Sequence, residues 1–456
     1  MDAMMDMHEA ARGAGGAVSG ANVRFASVSS DTRTLGGGEL FVALRGERYD
    51  GHDYLAAARE RGAVAAMVDA SASRERSASM PLLVVDDTRL GLGRLAAHWR
   101  SKFALPLIAV TGSNGKTTVK DMIAAILVEH AGAERAFATQ GNLNNDIGVP
   151  LTLLRLRSAH SCAVVELGMN HQGETAYLAG IAKPSVALVN NAQREHQEFM
   201  QGVEEVAREH GAVFAALPAN GIAAINADDA FAGYWREVCG ARRVLDFGID
   251  RPAAISGRFE LRDFGSDIVL SAPQGATPVR LHAAGVHNVR NALAAAAAAS
   301  AAGVGIAAIA RGLSGFRPSH GRLQKKTGKR GTTLIDDTYN ANPDSVIAAI
   351  EVLAQATGKK ILVLGDMGEV GAQGAAFHEE IGRHAKARKL DRLLALGVAS
   401  AHACTAFGAG AQHCDSVDAL RAALEADLGA DVTILVKGSR FMKMERLVAA
   451  LVEDGA

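Results

Sequence analysis

Aromatic side chains are scarce in this 456-residue chain: Phe, Tyr and Trp together make up 5% of it. Proline is limited to ten residues and cysteine to four. Cys162, Cys239, Cys404 and Cys414 lie far apart and form no CxxC pair, which excludes a zinc knuckle and a disulfide framework. Reduced, buried thiols in a cytoplasmic chain are the expectation. No charge excess exists either. Lys plus Arg is 48, Asp plus Glu is 49, and the net charge is −1. A dedicated nucleic-acid binder shows a basic excess, so that class is disfavoured. The opening MDAMMDMHEAARGAGG has acids among its first residues and no apolar core of signal-peptide length. One long run without charge, residues 292–310, is mostly Ala and is broken by Gly303 and Gly305. Alanine drives membrane insertion weakly. A buried helix from 288 to about 302, a turn and a second short helix are expected there, not a membrane span.

What is present describes a folded α/β chain. Apolar residues make up 48%, charged residues 21%, and there are 49 glycines. At roughly 150 residues per domain the length suggests three domains, with expected bounds 1–86, 87–316 and 317–456. Residues 1 to about 20 read as a loose tail. Short strands at 27–29, 40–44, 64–68 and 82–85, with a helix over 53–61, then form a small α/β unit. A helix over 89–103 leads into an apolar strand at 105–110, a Gly-rich turn, and a helix from 117 to about 129. Strands at 162–166, 186–190 and 221–225 follow at a spacing that implies a parallel sheet covered by helices. Closer strands at 243–247, 259–263, 267–271 and 279–283 read as an antiparallel excursion. Beyond Pro318-Ser319-His320-Gly321 a third series has strands at 333–336, 361–364, 392–395 and 433–436. Segment 321–330 carries five cations, Arg322, Lys325, Lys326, Lys329 and Arg330. It is short and lacks interleaved aromatics, so a solvated hairpin or hinge is expected.

The strongest local signal is Val-Thr-Gly-Ser-Asn-Gly-Lys-Thr-Thr at 110–118, between an apolar strand and a helix. That is the context a phosphate loop needs. Gly112 and Gly115 let the backbone turn its N–H groups toward a polyphosphate, and the helix adds the positive end of its dipole. Lys116 suits the β and γ phosphates, and the Thr117 hydroxyl suits Mg²⁺. The first glycine of the full P-loop pattern is Val110 here, so this is a shortened variant. Thr111, Gly112, Ser113, Asn114, Gly115, Lys116, Thr117 and Thr118 are the candidate nucleotide-binding residues. Glu166 closes a buried strand run, where a carboxylate beside a phosphate loop suits Mg²⁺. His196 follows the next strand in Asn-Asn-Ala-Gln-Arg-Glu-His, a candidate for a second metal.

In order, the phosphate loop, the Glu166 strand, His196, His287-Asn288-Val-Arg-Asn291 and Lys437-Gly-Ser-Arg440 resemble the Mur ligases, ATP-dependent amide ligases of bacterial cell-wall precursor synthesis. The resemblance covers nearly all of the chain after about residue 22. It implies three α/β domains: a small N-terminal uridine-nucleotide domain, a central P-loop ATPase domain with a parallel sheet, and a C-terminal Rossmann-like domain. Ser29-Ser-Asp-Thr-Arg33, Leu40-Phe-Val-Ala-Leu-Arg-Gly46 and Asp50-Gly-His52 resemble the uridine-nucleotide domain of the two later ligases. Asp336-Asp-Thr-Tyr-Asn-Ala-Asn-Pro343 and Leu364-Gly-Asp-Met-Gly-Glu369 are similar to the form that adds D-alanyl-D-alanine to UDP-N-acetylmuramoyl-tripeptide. The Asp-Asn-Pro-Arg motif of the diaminopimelate-adding form is absent.

The implied chemistry is ATP-driven amide formation through an acyl phosphate, with Lys116, Glu166 and His196 at the reacting centre and ATP and Mg²⁺ as cofactors. Thr117, Glu166 and His196 would hold metal. Asn288 and Asn291 would contact adenine, and Arg322 and Asp337 would close over the nucleotide. Ser30, Asp31, Thr32, Arg33, Gly46, Asp50 and His52 carry over to the uridine nucleotide, and Thr139, Asn142, Asn144 and Asn145 to the muramoyl-peptide. Tyr339, Asn340, Asn342, Asp366, Met367 and Glu369 carry over to the incoming dipeptide. A monomer working in the cytoplasm, without nucleic acid, is implied. The family usually has a lysine, carbamylated in several members, where this chain has His210 in Val-Ala-Arg-Glu-His-Gly. Either Glu209 or water then substitutes, or His210 binds the second metal directly. The third residue of the tripeptide, lysine or diaminopimelate, is left open by these motifs. A folylpolyglutamate-type ligase is the alternative, disfavoured by the Ser-Asp-Thr-Arg domain. A GTPase switch would need an Asn-Lys pair, which the chain lacks.

Overall fold

The computed structural model describes residues 3–70 and 80–453. Three sheets carry three α/β bodies. In the first body a five-stranded sheet runs in the order Ala17–Ser19, Leu82–Val85, Ala65–Asp69, Glu39–Val42, Ser27–Ser29. All its pairs are parallel except the one made by Ala17–Ser19. The expected loose tail is therefore corrected over its described part. Met5–Asp6 pairs with Arg24–Phe25, and Met7–Ala14 is a helix. Its physical basis is a two-turn apolar stripe, with Met7, Ala10, Ala11 and Ala14 buried. Asp6 caps it by accepting from the Glu9 N–H at 2.8 Å, and Gly15 at φ 71° ends it. The helix lies on Thr88–Arg100, where Glu9 meets His98 at 3.0 Å.

The central body is built on six parallel strands, ordered Arg243–Phe247, Ile222–Asn226, Val186–Val189, Leu107–Thr111, Cys162–Glu166, Ala136–Ala138. Strand Arg243–Phe247 is the edge of this sheet, not part of the antiparallel excursion. That excursion is a separate three-stranded sheet, Ser256–Arg262, Gly265–Ala272 and Gly275–Leu281. The register sets Glu166 beside Val110 and Val189 beside Thr111. The carboxyl ends of the three middle strands thus open onto one crevice, as open α/β sheets arrange their ligands. Helix Lys116–Ala131 packs on Val286–Ala301 and Ile306–Gly315. Small residues permit this approach: seven consecutive positions from Leu293 to Ala299 are buried at 0%, and a Cβ on Gly312 would lie 2.5 Å from the Ile126 backbone. No helix among the described residues is long and apolar enough to cross a membrane.

The third body has the strand order Gln324–Thr327, Thr333–Asp337, Val432–Lys437, Lys359–Gly365, Arg392–Leu396, Ala411–Cys414. Only the first pairing is antiparallel. Segment 321–330, expected as a solvated hairpin or hinge, supplies the first strand of a hairpin with Thr333–Asp337, and not all of its charge is solvated. Lys326 donates to the fully buried Asp336 at 2.8 Å, and Arg322 reaches into the central body.

Candidate active site

A cleft of about 970 Å³ opens where the three bodies meet. Glu47 and Arg89 reach it from the first body and its following helix, the phosphate loop and Glu166 from the second, and Arg322, Asp337 and Lys437 from the third.

The phosphate loop is held by amides. Asn191 accepts from the Asn114 N–H at 2.8 Å, and Asn190 and Asn191 donate to the Asn114 carbonyl at 2.7 and 3.0 Å. Gly112 has φ 128° and Gly115 φ 82°, backbone that glycine adopts freely. A Cβ on Gly115 would lie 2.5 Å from Asn291 Oδ1 and 2.7 Å from Asn190 Nδ2. Helix Lys116–Ala131 starts at Gly115 with no side-chain cap, so its first N–H groups face the cleft as an anion seat. Ser113, Asn114, Gly115, Lys116, Thr117 and Thr118 line the cleft. Thr111 and Gly112 lie beneath the loop, outside that lining. Lys116 Nζ donates to the Gly112 carbonyl at 2.5 Å and to Glu195 Oε2 at 3.1 Å.

Glu166 is 2% exposed. Its Oε1 accepts from Thr117 Oγ1 at 3.1 Å and from Asn144 Nδ2 at 2.8 Å, while its buried Oε2 has no hydrogen-bond partner. An orphaned buried carboxylate oxygen beside a hydroxyl fits a hard cation. His196 sits at φ 49°, strained for a non-glycine residue. Its Nδ1 lies 2.7 Å from Glu369 Oε2 of the third body.

Asparagines continue the wall. Asn190 donates to Asn291 Oδ1 at 2.9 Å and Asn291 to Asn288 Oδ1 at 3.0 Å. Arg322 donates to Thr117 Oγ1 at 3.1 Å and stacks 3.9 Å over the Tyr339 ring. Asp337 accepts from the Leu323 N–H and, at 2.6 Å, from Lys437, which also donates to the Asn340 carbonyl. Asn342 exchanges amide hydrogen bonds with Asn114 and caps the helix Pro343–Ala354. Asn142, Asn144, Asn145 and Glu369 also line the cleft.

Other expected residues lie elsewhere. Asp366 is spent on the Ala399 and Ser400 N–H groups, and Met367 is 3% exposed with its N–H on His378, so neither reaches the cleft. Thr139 uses its hydroxyl to accept from the Glu166 N–H at 3.0 Å and so fixes that strand. In the first body, Asp31 binds Arg33 in an exposed turn that also holds Ser30 and Thr32. The Gly46 N–H donates to the Tyr49 carbonyl, while Asp50 meets the His52 ring at 2.5 Å. None of these seven residues lines the cleft, although Glu47 does.

Three stretches match family models described as Mur ligase family, catalytic domain (24–100), Mur ligase middle domain (110–299) and Mur ligase, glutamate ligase domain (321–440). Over 447 residues the chain is 42% identical to UDP-N-acetylmuramoyl-tripeptide–D-alanyl-D-alanine ligase of Escherichia coli K12, covering 96% of each chain. The chain belongs to the Mur ligase family. The fold of this Mur ligase is similar to MurF from Acinetobacter baumannii, with a TM-score of 0.91, 35% identity and 98% of each chain covered. It also resembles the MurF ligase of Thermotoga maritima solved in complex with ADP, with a TM-score of 0.80, 25% identity and 93% and 96% covered.

In this Mur ligase the polar atoms of Glu209 and His210 are engaged by protein partners. Glu209 accepts from the Gly173 and Thr175 N–H groups at the start of helix Glu174–Ala182. His210 is fully buried, with Nδ1 2.9 Å from Thr111 Oγ1 and Nε2 2.6 Å from Glu195 Oε1. Burial lowers the pKa of this imidazole, and the Glu195 contact only partly opposes it. Glu195, 6% exposed, lines the cleft. Burial works against its carboxylate, but the Lys116 charge and the His210 hydrogen bond outweigh that and hold its pKa well below the usual range. Sequence reasoning passed over Glu195, although it directly precedes His196. Lys437 stood in a matched motif without a role.

Proposed function

We propose that this Mur ligase joins D-alanyl-D-alanine to UDP-N-acetylmuramoyl-tripeptide at the expense of ATP, the reaction named in the curated relative it matches over 96% of its length. The observation that carries the reading is the open N-terminus of helix Lys116–Ala131, with Lys116 on one side and the orphaned Glu166 oxygen on the other, facing a cleft shared by all three bodies. A carboxylate is a poor electrophile. Attack of the tripeptide carboxylate on the γ-phosphorus forms an acyl phosphate and releases ADP. The dipeptide amine then attacks the acyl carbon, the tetrahedral intermediate expels phosphate, and the amide remains. Catalysis on this surface is charge neutralisation and alignment. Lys116 and the loop N–H groups take the charge on the transferring phosphoryl group. Thr117, Glu166 and His196 would hold Mg²⁺, which when bound supplies Lewis-acid neutralisation of the phosphates.

Residues 1–86 take the uridine nucleotide, with Ser30 to Arg33, Gly46, Asp50 and His52 along its path. Residues 87–316 take ATP, with Asn288 and Asn291 on the adenine side and Asn142, Asn144 and Asn145 toward the muramoyl-peptide. Residues 317–456 bring Arg322 and Asp337 to the nucleotide and Tyr339, Asn340, Asn342 and Glu369 to the dipeptide. The protein acts as a monomer in the cytoplasm, supplying the peptidoglycan on which cell shape and division depend. Phosphate release from ATP tests the reading: it should require both substrates. Release without either one would overturn it. Lys116→Ala should abolish turnover with an unchanged circular-dichroism melt, and retained turnover would refute the phosphate-loop role.

A further inference from the structure

Glu195 is a buried carboxylate in the wall of a cleft read here as a polyphosphate site, and that needs a physical reason. Its Oε1 is fixed by His210, whose other ring nitrogen faces the Thr111 hydroxyl. Its Oε2 faces two groups: Lys116 Nζ at 3.1 Å and His196 Nε2 at 3.7 Å. Behind the His196 ring, Glu369 Oε2 lies 2.7 Å from Nδ1, a charge contact outside hydrogen-bond geometry. With its proton on Nδ1, toward that carboxylate, the ring would present its lone pair at Nε2. Two Lewis-basic atoms, Nε2 and Oε2, then face each other beyond hydrogen-bond distance. Metal-binding histidines are oriented in this way, with the far nitrogen given to a carboxylate. Two bonds of about 2.1 Å span roughly 3.0 Å at a right angle and 4.2 Å in line, so a 3.7 Å gap admits one Mg²⁺-sized ion. Lys116 is the present counter-charge of Oε2. When Lys116 turns to a polyphosphate, the carboxylate loses that partner, and an uncompensated buried charge is strongly unfavourable. A cation arriving with the nucleotide restores the balance.

We propose that Glu195 completes, with His196, the seat of a second divalent cation, and that His210 and Glu369 are positioning residues that hold these two ligands in place. This rests on reading the cleft as an ATP site. Its consequence concerns the lysine usual in the family. The imidazole of His210 brings no anionic oxygen, but the side chain it holds does. The anion is a genetically encoded carboxylate, and the seat needs no carbon dioxide.

Mn²⁺ titration of the full chain with a non-hydrolysable ATP analogue, read by electron paramagnetic resonance in carbonate-free buffer, tests this. The wild type should bind two Mn²⁺ per chain. Glu195→Gln should bind one, or bind the second at least ten-fold more weakly, while still binding the analogue. His210→Phe should weaken the second ion alone. Two Mn²⁺ with wild-type affinity in Glu195→Gln would overturn the proposal. If that variant does not fold, the wild type decides: loss of the second ion on removing carbon dioxide, regained with bicarbonate, would assign it to a carbamate and overturn the proposal. If the wild type binds no nucleotide analogue, the ATP-site reading itself fails. Analogue binding with no role for Glu195 refutes this inference alone.

Discussion

Arg194 holds the third body against the second, and its removal gives a measurable opening. Its guanidinium donates through Nε and Nη2 to Asp344 Oδ1 at 3.1 and 2.7 Å, and through Nη1 to Glu380 Oε2 at 2.7 Å. It also stacks 5.3 Å from the Phe377 ring. All three carboxylate and guanidinium partners keep some solvent contact, with side-chain exposures of 24% for Arg194, 23% for Asp344 and 37% for Glu380. Fully exposed pairs give about 0–1 kcal/mol each, and the two here exceed that only modestly because one is forked. The ring contact adds about 0.5 kcal/mol. Arg194→Ala keeps the backbone N–H bond to Asp344 Oδ2, so the loss is about 2–3 kcal/mol of closure. At 1.4 kcal/mol per decade, the closed-to-open ratio falls roughly 30- to 150-fold. Small-angle scattering of the unliganded variant should show a larger radius of gyration, and turnover should fall with it. Arg194→Lys keeps the charge but not the fork and should lie between. Added salt should open the parent in the same direction. Scattering and turnover indistinguishable from the parent in Arg194→Ala would refute the latch.

Gly115→Ala forces a side chain to φ 82° and against Asn291 and Asn190. It should cost about 1–3 kcal/mol of stability and most of the nucleotide affinity, seen by thermal melt and calorimetric titration. Glu166→Gln keeps an acceptor for Thr117 but removes the charge. The Mg²⁺ concentration for half-maximal phosphate release should rise at least about ten-fold with little change in melting temperature. His287 lines the cleft half-buried, and burial pushes its imidazole down to about 4. Its Nε2 faces Asn288 Nδ2 at 3.2 Å, a hydrogen bond that suits the neutral ring. Above pH 6.5 both folded and unfolded forms are neutral and the contribution is complete. As pH falls from 6.5 to 4 the unfolded chain gains a proton that the folded chain refuses, and stability declines. With the ring partly open to the cleft, the loss is about 1–2 kcal/mol across that window. His287→Gln should flatten the urea-midpoint slope over the same interval.

The phosphate loop was legible because its signal is local: a buried strand, two glycines, then Lys116 and Thr117 within one helical turn. Glu166 was legible for the same reason, as a charge ending an apolar strand. The helix Met7–Ala14 was not, because two turns among glycines carry too little periodicity. Its stability comes from Thr88–Arg100, far along the chain. Asp366 and Met367 matched a motif, but motif membership does not say which way a side chain turns at the end of strand Lys359–Gly365. Arg194 and Asp344, 150 residues apart, meet only through the packing of two bodies. Glu195 was hidden differently. It lies in the loop beside His196, and its meaning depends on His210, which sits on the following helix Val203–Ala215.

Charge beside the phosphate loop is sparse and placed. The groups that brace the phosphate loop are neutral: Asn190, Asn191, Asn114, Asn288, Asn291 and Asn342 hold it from the sheet, from helix Val286–Ala301 and from the third body. Amides fix direction with donors and acceptors while adding no net charge, so they neither repel a polyphosphate nor compete with it for cations. Beside the loop, two full charges stand where a charged ligand is expected to be exchanged. Lys116 is held by Glu195 and by its own loop carbonyl, contacts that would yield to phosphate oxygens under the proposed function. The unpartnered Glu166 oxygen waits for a cation. Each of these groups would gain partners from a bound nucleotide and its cation. Binding energy can therefore be spent on closing the third body, whose Arg322 and Glu369 reach Thr117 and His196 directly. Nucleotide arrival and domain closure are then expected to be coupled through the same few atoms, which is the reason a latch as distant in sequence as Arg194–Asp344 is predicted to bear on turnover.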